Sequence, residues 1–149
     1  MLRLPRNLLC CGIMIFAAAF PLQAATPEEQ AVLAPMQALF DAMGKHDKAA
    51  VRDQLLPGGM VTLKRKDQII QMHFDTFVDH IGGKDKIEER IHDPIIHIDN
   101  DIAIIWVPYD FLMDGKVTYC GTDIAHLVHR NGRWLIAGIA DNSHETCAK

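Results

Sequence analysis

The sequence predicts an α+β fold in which N-terminal helices are followed by a strongly bent antiparallel sheet. Apolar residues recur with helical spacing as far as Ile81, and with the two-residue spacing of strands after that point. Asp114-Gly115 and Asn131-Gly132 stand between β-rich runs, and such dipeptides are the strongest local signals for hairpin turns. A chain in which helices precede a meander of antiparallel strands belongs to the α+β class.

The N-terminal segment has the pattern of a secretory signal peptide. Arg3 and Arg6 precede an apolar run over residues 8–20, and small residues follow it. This run is shorter than the roughly 20 residues that a membrane-spanning helix needs. We therefore expect a signal peptide over residues 1–24, cleaved after Ala24, and one domain over residues 25–149. We also expect no membrane span after processing, and export to the bacterial periplasm or the cell exterior.

Two helices are expected at the start of the remaining chain. Thr26 and Glu29 form the capping-box pattern of a helix N-terminus, and this helix ends at Gly44. Pro35 predicts a bend or a late start in it. Asp47 is expected to cap a shorter second helix.

The second helix is expected to run through Leu55 and to end before Pro57-Gly58-Gly59, with a short strand over residues 60–63. A third helix is expected from about Asp67 to Ile81, because apolar residues from Ile70 onward share one helical face.

The rest of the chain is expected to form four strands, over residues 91–98, 102–113, 117–129 and 134–140. Both faces of the 102–113 strand are apolar near its start, and Ile102, Ile104 and Trp106 share one of them. Because the helices cover only one face, we expect a second copy on the other, giving a homodimer through the sheet. The alternative is a curled sheet that encloses its own core.

The two-residue turns predict the register of these strands. Tyr109 is expected opposite Cys120 and on the same face as His126, whereas Asp123 is expected on the opposite face. Tyr109 and Asp123 therefore converge only if a bulge intervenes. Tyr109 with His126 is the better candidate pair, and its structural alternative is a hydrogen-bonded tyrosine beside a surface histidine.

Charge and composition argue against a nucleic-acid partner. Hydrophobic residues make up 49% of the chain and charged residues 23%, as in ordinary folded domains. Without residues 1–24 the net charge is about −6, and Lys64-Arg65-Lys66 is the one short basic stretch. Phosphate contacts need grouped lysines and arginines, so we expect no nucleic acid to bind.

The two cysteines beyond residue 24, Cys120 and Cys147, are expected to form a disulfide in an exported domain. A catalytic pair of Cys120 with a histidine is the alternative. His126 and His129 are three apart on a strand and point to opposite faces, and neither HExxH nor paired CxxC occurs. We therefore expect no metal and no cofactor.

The segment AIIWVPYDFLMDGKVTYCGTDIAHLVHRNGRWLIAGIAD, residues 103–141, with the preceding helices, resembles the nuclear transport factor 2-like superfamily. The residues most similar to uncharacterised bacterial lumazine-binding-like members are Trp106, Tyr109, Phe111, Gly115, Gly121 and Trp134-Leu135-Ile136. The resemblance covers roughly residues 28–142. It implies a cone-shaped fold with a pocket, and dimerisation through the sheet as in many members. It does not imply a reaction, because this fold supports many.

The isomerases of that superfamily use a tyrosine from the first helix and a carboxylate on the early strand. This chain has no tyrosine in residues 28–44, and Leu63-Lys64 stand where the acid would be. An isomerase-like mechanism is therefore not implied.

The leading functional hypothesis is an exported, dimeric domain that binds a small hydrophobic or heterocyclic molecule. Its pocket is expected to be walled by Phe40, Phe74, Phe77, His97, Tyr109 and Phe111. An enzyme of the same fold, an isomerase, dehydratase or hydrolase, is the alternative, with Tyr109, His126 and Asp123 as candidate catalytic residues. The second alternative is a structural or partner-binding module without catalysis. Two convergent titratable groups with shifted pKa values would favour the enzyme, and a dry apolar cone would argue against it.

Overall fold

A computed structural model describes residues 25–144, 146 and 147, so the expected signal peptide, residues 1–24, lies outside the described residues. The elements are α1 (Pro27–Gly44), α2 (Lys48–Gln54), β1 (Leu55–Arg65), β2 (Gln68–His73), α3 (Phe74–His80), β3 (Ile87–Ile91), β4 (Ile95–Asp99), β5 (Ile102–Met113), β6 (Lys116–Arg130) and β7 (Arg133–His144). The predicted α+β class is confirmed.

The first helix begins where the capping box predicts. The Glu29 amide donates to Thr26 Oγ1 at 3.2 Å, and the Thr26 amide donates back to Glu29 Oε2 at 2.7 Å. These two bonds satisfy amides that a helix N-terminus otherwise leaves unpaired. The helix starts at Pro27 and continues through Pro35, which is buried, so the expected late start is wrong.

The expected third helix is wrong in its first half. Residues Gln68–His73 form β2, which pairs antiparallel with β1, and α3 spans only Phe74–His80. Ile69 is 69% exposed, so the apolar residues of β2 do not form the buried stripe that a helix requires. The short strand expected over residues 60–63 is the centre of the longer β1.

The sheet has the strand order β2-β1-β7-β6-β5-β3, and β4 also pairs with β5. Because β1 runs parallel to β7, the sheet is mixed rather than wholly antiparallel as expected. The strand expected over residues 91–98 is two strands, β3 and β4, which pair with successive parts of β5. Pro94 lies in the break between them, where Asp93 has a positive φ of 38°.

A bulge on β6 changes which residues share a face. Leu112 pairs with Val117 but Phe111 pairs with Tyr119, so Thr118 is an extra residue. Beyond this point Tyr109 pairs with Gly121, not with Cys120.

Because one extra residue exchanges the two faces of a strand, the expected separation of Tyr109 and Asp123 is wrong. Both lie on the inner face, beneath the helices, and His126 lies on the outer face. A second bulge, at Ala137, separates the Leu127–Ile136 pair from the His126–Gly138 pair, so Ala125 lies opposite Ile139.

The core lies between the helices and the inner face of the sheet. Val32 and Met36 of α1 are fully buried, as are Ile105 of β5 and Ile136 of β7. The outer face carries apolar side chains that the described part of the chain leaves exposed. Ile95, Ile102, Ile104, Trp106 and Ile124 are each 42% to 54% exposed.

The C-terminal tail is attached to the sheet by a disulfide between Cys120 and Cys147, whose Cα atoms are 5.6 Å apart. In the ladder Cys120 lies opposite His144, the last residue of β7, so the chain turns back over β6 just beyond that strand. None of the helices in the described ranges has the length and apolar character needed to cross a bilayer.

Candidate functional site

A cavity of about 390 Å³ lies between the helices and the inner face of the sheet. Its apolar walls come from α1, α3 and the sheet, and include Leu39, Phe40, Met43, Val61, Leu63, Met72, Phe77, Ile81, Ile87, Phe111 and Ile139. Its polar residues are Arg65, His80, Glu89, Tyr119, Asp123 and Asp141. A concave, mostly apolar site with a few convergent polar groups is the usual form of a small-molecule site.

Asp123 is the buried acid of this cavity, with a side chain only 4% exposed. The bulge at Thr118 turns it inward, and it lies directly opposite Asp141 in the β6–β7 ladder. Its carboxyl makes no hydrogen bond to another residue of the described chain. Burial raises the pKa of Asp123 well above its ordinary value, and the negative charges of Glu89 and Asp141 raise it further.

Glu89 brings a second carboxyl into the cavity from β3. It lies between Ile87 and Ile91 on the strand, so all three point inward. Burial raises the pKa of Glu89 to about 8, and the charge of Asp141 acts in the same direction against the opposing effect of Arg65. At neutral pH this carboxyl is mostly protonated, and it can donate as well as accept a hydrogen bond.

Asp141 differs from the other two acids because it has partners. Arg65 donates to Asp141 Oδ2, and the Tyr109 hydroxyl lies 2.8 Å from Oδ1 and 3.1 Å from the carbonyl oxygen of Asn142. Burial lowers the pKa of the Arg65 guanidinium, but the hydrogen bond to Asp141 and the electrostatic effects of Asp141, Tyr109 and Tyr119 together raise it above its ordinary value. Burial and the neighbouring Asp141 raise the pKa of Tyr109, so its hydroxyl stays protonated.

Gly121 permits this arrangement of Tyr109. A Cβ at position 121 would lie 2.0 Å from the Asn142 carbonyl oxygen and 2.7 Å from the Tyr109 hydroxyl oxygen. The tyrosine ring therefore crosses β6 at a position where no side chain stands.

An aromatic stack forms the wall next to Glu89. The rings of Phe111 and Tyr119 lie 4.5 Å apart and are nearly parallel, at 9°. Phe111 also pairs with Glu89 in the β3–β5 ladder, so the carboxyl and both rings form one row across three strands. Burial, with the adjacent Glu89, raises the pKa of Tyr119 to about 12.

The residues proposed from the sequence divide between three environments. Phe40, Phe77, Phe111 and Asp123 line the cavity. Phe74 is in the core, and Tyr109 is buried behind Asp141 and bonded to it. His97 and His126 are on the outer face, in a groove of about 310 Å³ that Ile102 and Ile104 also line. The expected pairing of Tyr109 with His126 is therefore wrong, because the sheet separates them.

The sequence interpretation missed Glu89, Arg65 and Tyr119 as site residues. Glu89 could have been found from its position midway between Ile87 and Ile91 at the two-residue spacing of a strand, but the strand was expected to begin only at Ile91. Arg65 belongs to the short basic stretch Lys64-Arg65-Lys66, and its head group turns inward to Asp141.

Two further features lie outside the cavity. Arg65 and Tyr119 also border a cleft of about 900 Å³ near the β1–β2 turn. Among the described residues, Asp110, Cys120 and Cys147 bring three potential metal-ligand atoms within 4.8 Å of one another. Both sulfur atoms are joined in the disulfide and are not free thiolates.

Comparison with known proteins gives one family and many similar folds. The model of a family described as "Putative lumazine-binding" matches residues 27–138. No protein of curated function matches the sequence.

Among solved structures, an NTF2-like protein of unknown function from Shewanella baltica has a TM-score of 0.65 at 16% identity, over 83% of this chain and 100% of its own. An NTF2-like protein from Cytophaga hutchinsonii has a TM-score of 0.69 at 13% identity, over 80% of this chain and 100% of its own. A Mycobacterium tuberculosis protein of unknown function has a TM-score of 0.68 at 14% identity, over 78% of this chain and 72% of its own. At these identities the similarities establish the fold alone.

Proposed function

Because the chain belongs to the lumazine-binding-like family of the nuclear transport factor 2-like superfamily, we propose that it binds a small hydrophobic or heterocyclic molecule in the inner cavity. The observation that carries this proposal is the cavity itself, about 390 Å³ with aromatic and aliphatic walls and a cluster of polar groups on the sheet side. A flat ring would lie against Phe111 and Tyr119, with its polar edge toward Glu89 and Asp123.

The chemistry of the polar groups suits a heterocycle. A protonated carboxyl donates one hydrogen bond and accepts another, so it pairs with an N–H and C=O edge of the kind found on many ring systems. The raised pKa values of Glu89 and Asp123 favour that form. A third possibility, a module that binds no small molecule, is disfavoured because side chains do not fill the cone.

Native mass spectrometry of protein purified from its own host tests ligand binding. We expect an added mass that is absent from Leu63→Trp, whose indole would fill the cavity from β1. The control is Ile69→Trp, at a side chain on β2 that is 69% exposed. An added mass in all three proteins, or in none, would contradict the proposal.

Proton-transfer catalysis is a second candidate, because two carboxyls with raised pKa values face one cavity. An acid that stays protonated near neutral pH and a neighbouring base are what such chemistry requires. Incubation of the co-purified molecule with the protein in heavy water tests it. Deuterium incorporation at carbon by the natural protein, but not by Asp123→Asn or Glu89→Gln, supports catalysis, and unlabelled ligand rejects it.

We propose further that the protein is exported and forms a homodimer through the outer face of the sheet. Export is supported by the pattern of residues 1–24, and we expect the exported protein to begin at Ala25. An N-terminal sequence that begins upstream of Gln23 would contradict that processing. The dimer is supported by the exposed apolar side chains around Trp106, which a second sheet would cover.

A further inference from the structure

We propose that the inner cavity selects an organic cation, a compact ring or alkyl group whose positive nitrogen sits between Glu89 and Asp123. This inference rests on the proposed function, since it names the class of ligand that the same cavity takes. It follows from the balance of charged groups, from the burial of one unpartnered acid, and from the aromatic walls.

The charged groups of the cavity are unbalanced toward acid. Three carboxyls, those of Glu89, Asp123 and Asp141, face a single guanidinium, that of Arg65. Asp141 uses both of its oxygens, one with Arg65 and one with the Tyr109 hydroxyl. Arg65 is thereby committed to Asp141, and Glu89 and Asp123 receive no hydrogen bond from any residue in the described ranges.

Asp123 faces the cavity without a hydrogen-bond partner among the described residues. Its side chain is 4% exposed, lines the cavity and stands directly opposite Asp141, another acid. A buried polar group is normally hydrogen-bonded, and like charges placed opposite each other in a ladder destabilise it. A ligand with a positive charge would answer both at once, because it attracts the unpartnered carboxyl and offsets the repulsion between the two acids.

Electrostatics favour a cation over an anion. Glu89 and Asp123 each have a pKa raised by burial and by neighbouring acids, which means that the site resists negative charge. A nearby positive charge reverses this effect and allows a carboxylate to form. An anionic ligand would face the same two acids, with the guanidinium already bound to Asp141.

The walls suit a cation as well. Phe111 and Tyr119 stack beside Glu89, and Phe40 and Phe77 line the cavity from the helices. Ring faces attract a desolvated cation within about 6 Å of the ring centre. The charged and titratable groups that line the cavity around Glu89 come from four elements and are Arg65 of β1, His80 of α3, Tyr119 and Asp123 of β6, and Asp141 of β7.

A matched pair of probes isolates the charge. Phenyltrimethylammonium and tert-butylbenzene have the same shape, and only the first is charged, at every pH. By calorimetry at pH 9, above the pKa of about 8 for Glu89, we expect the cation to bind at least about tenfold more tightly. At pH 6 the affinity for the cation should fall because Glu89 is protonated before binding.

The variants identify the groups responsible. Glu89→Gln and Asp123→Asn should each weaken cation binding by about tenfold and leave tert-butylbenzene unaffected. Glu88→Gln is the matched control, because Glu88 is the neighbour of Glu89 on β3 and forms an exposed ion pair with Arg90 at 2.6 Å. It should bind both probes as the natural protein does.

The outcomes separate this inference from the proposed function. If tert-butylbenzene binds as tightly as the cation, or more tightly, the cavity takes neutral ligands; the inference fails and the proposed function stands. If neither probe binds, the inference also fails, and the mass measurement on host-purified protein decides the proposed function independently.

A measurement on the natural protein covers the case in which Asp123→Asn does not fold. A cation that ionises a protonated carboxyl releases a proton, which calorimetry detects at pH 7 as a heat that depends on the ionisation enthalpy of the buffer. Equal heats in two such buffers would overturn the inference.

Discussion

The Tyr109 hydroxyl connects three strands through one polar contact. It lies on β5, donates to Asp141 of β7, and reaches across β6 at Gly121. Because Asp141 also binds Arg65 of β1, a single carboxylate joins side chains from distant parts of the sequence. The geometry of Asp141, the acid opposite Asp123, therefore depends on Tyr109, which does not line the cavity.

Replacing Tyr109 by phenylalanine should reduce the free energy of unfolding by about 1–3 kcal/mol, because a buried bond to a charged group is lost. Urea unfolding measures the change. Tyr119→Phe is the matched control, since the Tyr119 hydroxyl forms no hydrogen bond within the described chain. An equal loss in both variants would show that the Tyr109 bond contributes nothing specific.

Gly121→Ala should be more damaging, by roughly 2–4 kcal/mol, because the added methyl meets the Asn142 backbone and the Tyr109 ring at once. Gly82→Ala is its control. Gly82 also lines the cavity, but no atom lies within 4 Å of the position of an added Cβ. Thermal unfolding compares the two, and equal stabilities would contradict the close approach of Tyr109 to β6.

At the scale of elements, β3 is short but carries the acid that titrates nearest neutral pH. Folded Glu89 keeps its proton up to about pH 8, whereas the ordinary value is 4.5. Between these two values the native state binds more protons than the unfolded state, so the free energy of unfolding falls as pH rises.

We expect a loss of roughly 2 kcal/mol between pH 5 and pH 8, less than the full shift implies, because the side chain borders a solvent-filled space. Glu89→Gln should reduce the slope of this pH profile, measured by urea unfolding at each pH, and the raised pKa of Asp123 supplies the slope that remains. Glu88→Gln should retain the natural slope. A natural protein whose stability is constant over this range would show that Glu89 is not held protonated.

The C-terminal tail depends on the bridge between Cys120 and Cys147, which are 27 residues apart in sequence. In the chain-entropy description, loss of a disulfide that closes a loop of this size lowers the free energy of unfolding by roughly 3 kcal/mol. Cys147→Ser should lower the free energy of unfolding by that amount, and reduction of the natural protein should match it. If added reductant leaves stability unchanged, the bridge does not form in solution.

The elements predicted correctly are those whose signals are local. The capping box of Thr26 and the turns at Asp114-Gly115 and Asn131-Gly132 involve residues a few positions apart, and α1, β5, β6 and the start of β7 follow from them. β2 was mistaken for helix because only its pairing with β1, a non-local contact, selects the extended form.

The candidate site was only partly predictable for the same reason. Aromatic residues such as Phe40 and Phe111 could be chosen from helical and strand periodicity. The position of Asp123 could not, because it depends on a bulge at Thr118 for which the sequence has no local signal. Glu89 was missed because the start of its strand was expected too late in the sequence. Arg65 was missed because an ion pair with Asp141, a residue distant in sequence, decides where its head group lies.

At the scale of the whole molecule, the outer face of the sheet carries apolar side chains that the rest of the described chain does not cover. Trp106 is 46% exposed at its centre, with Ile104 and Ile124 beside it. Trp106→Glu should convert a dimer into a folded monomer, because the interface would have to bury an unpaired charge. Light scattering measures the mass, and circular dichroism checks the fold.

Ile69→Glu is the control for that change, since Ile69 is more exposed than Trp106 but lies on β2, at the far edge of the sheet. It should remain dimeric. A natural protein that is monomeric at high micromolar concentration would rule out the dimer.

The bulge at Thr118 also has a consequence for comparing genes. A relative without the codon for Thr118 would have no bulge and would still turn the same set of β6 side chains toward its cavity, because Tyr119 and the residues after it would keep their partners on β5. A gap placed beyond His126 instead would align Asp123 with the counterpart of Ile124, whose side chain faces outward. An alignment of the two genes is meaningful for the pocket only when its gap is placed at Thr118, because any other placement transfers residue roles across the sheet.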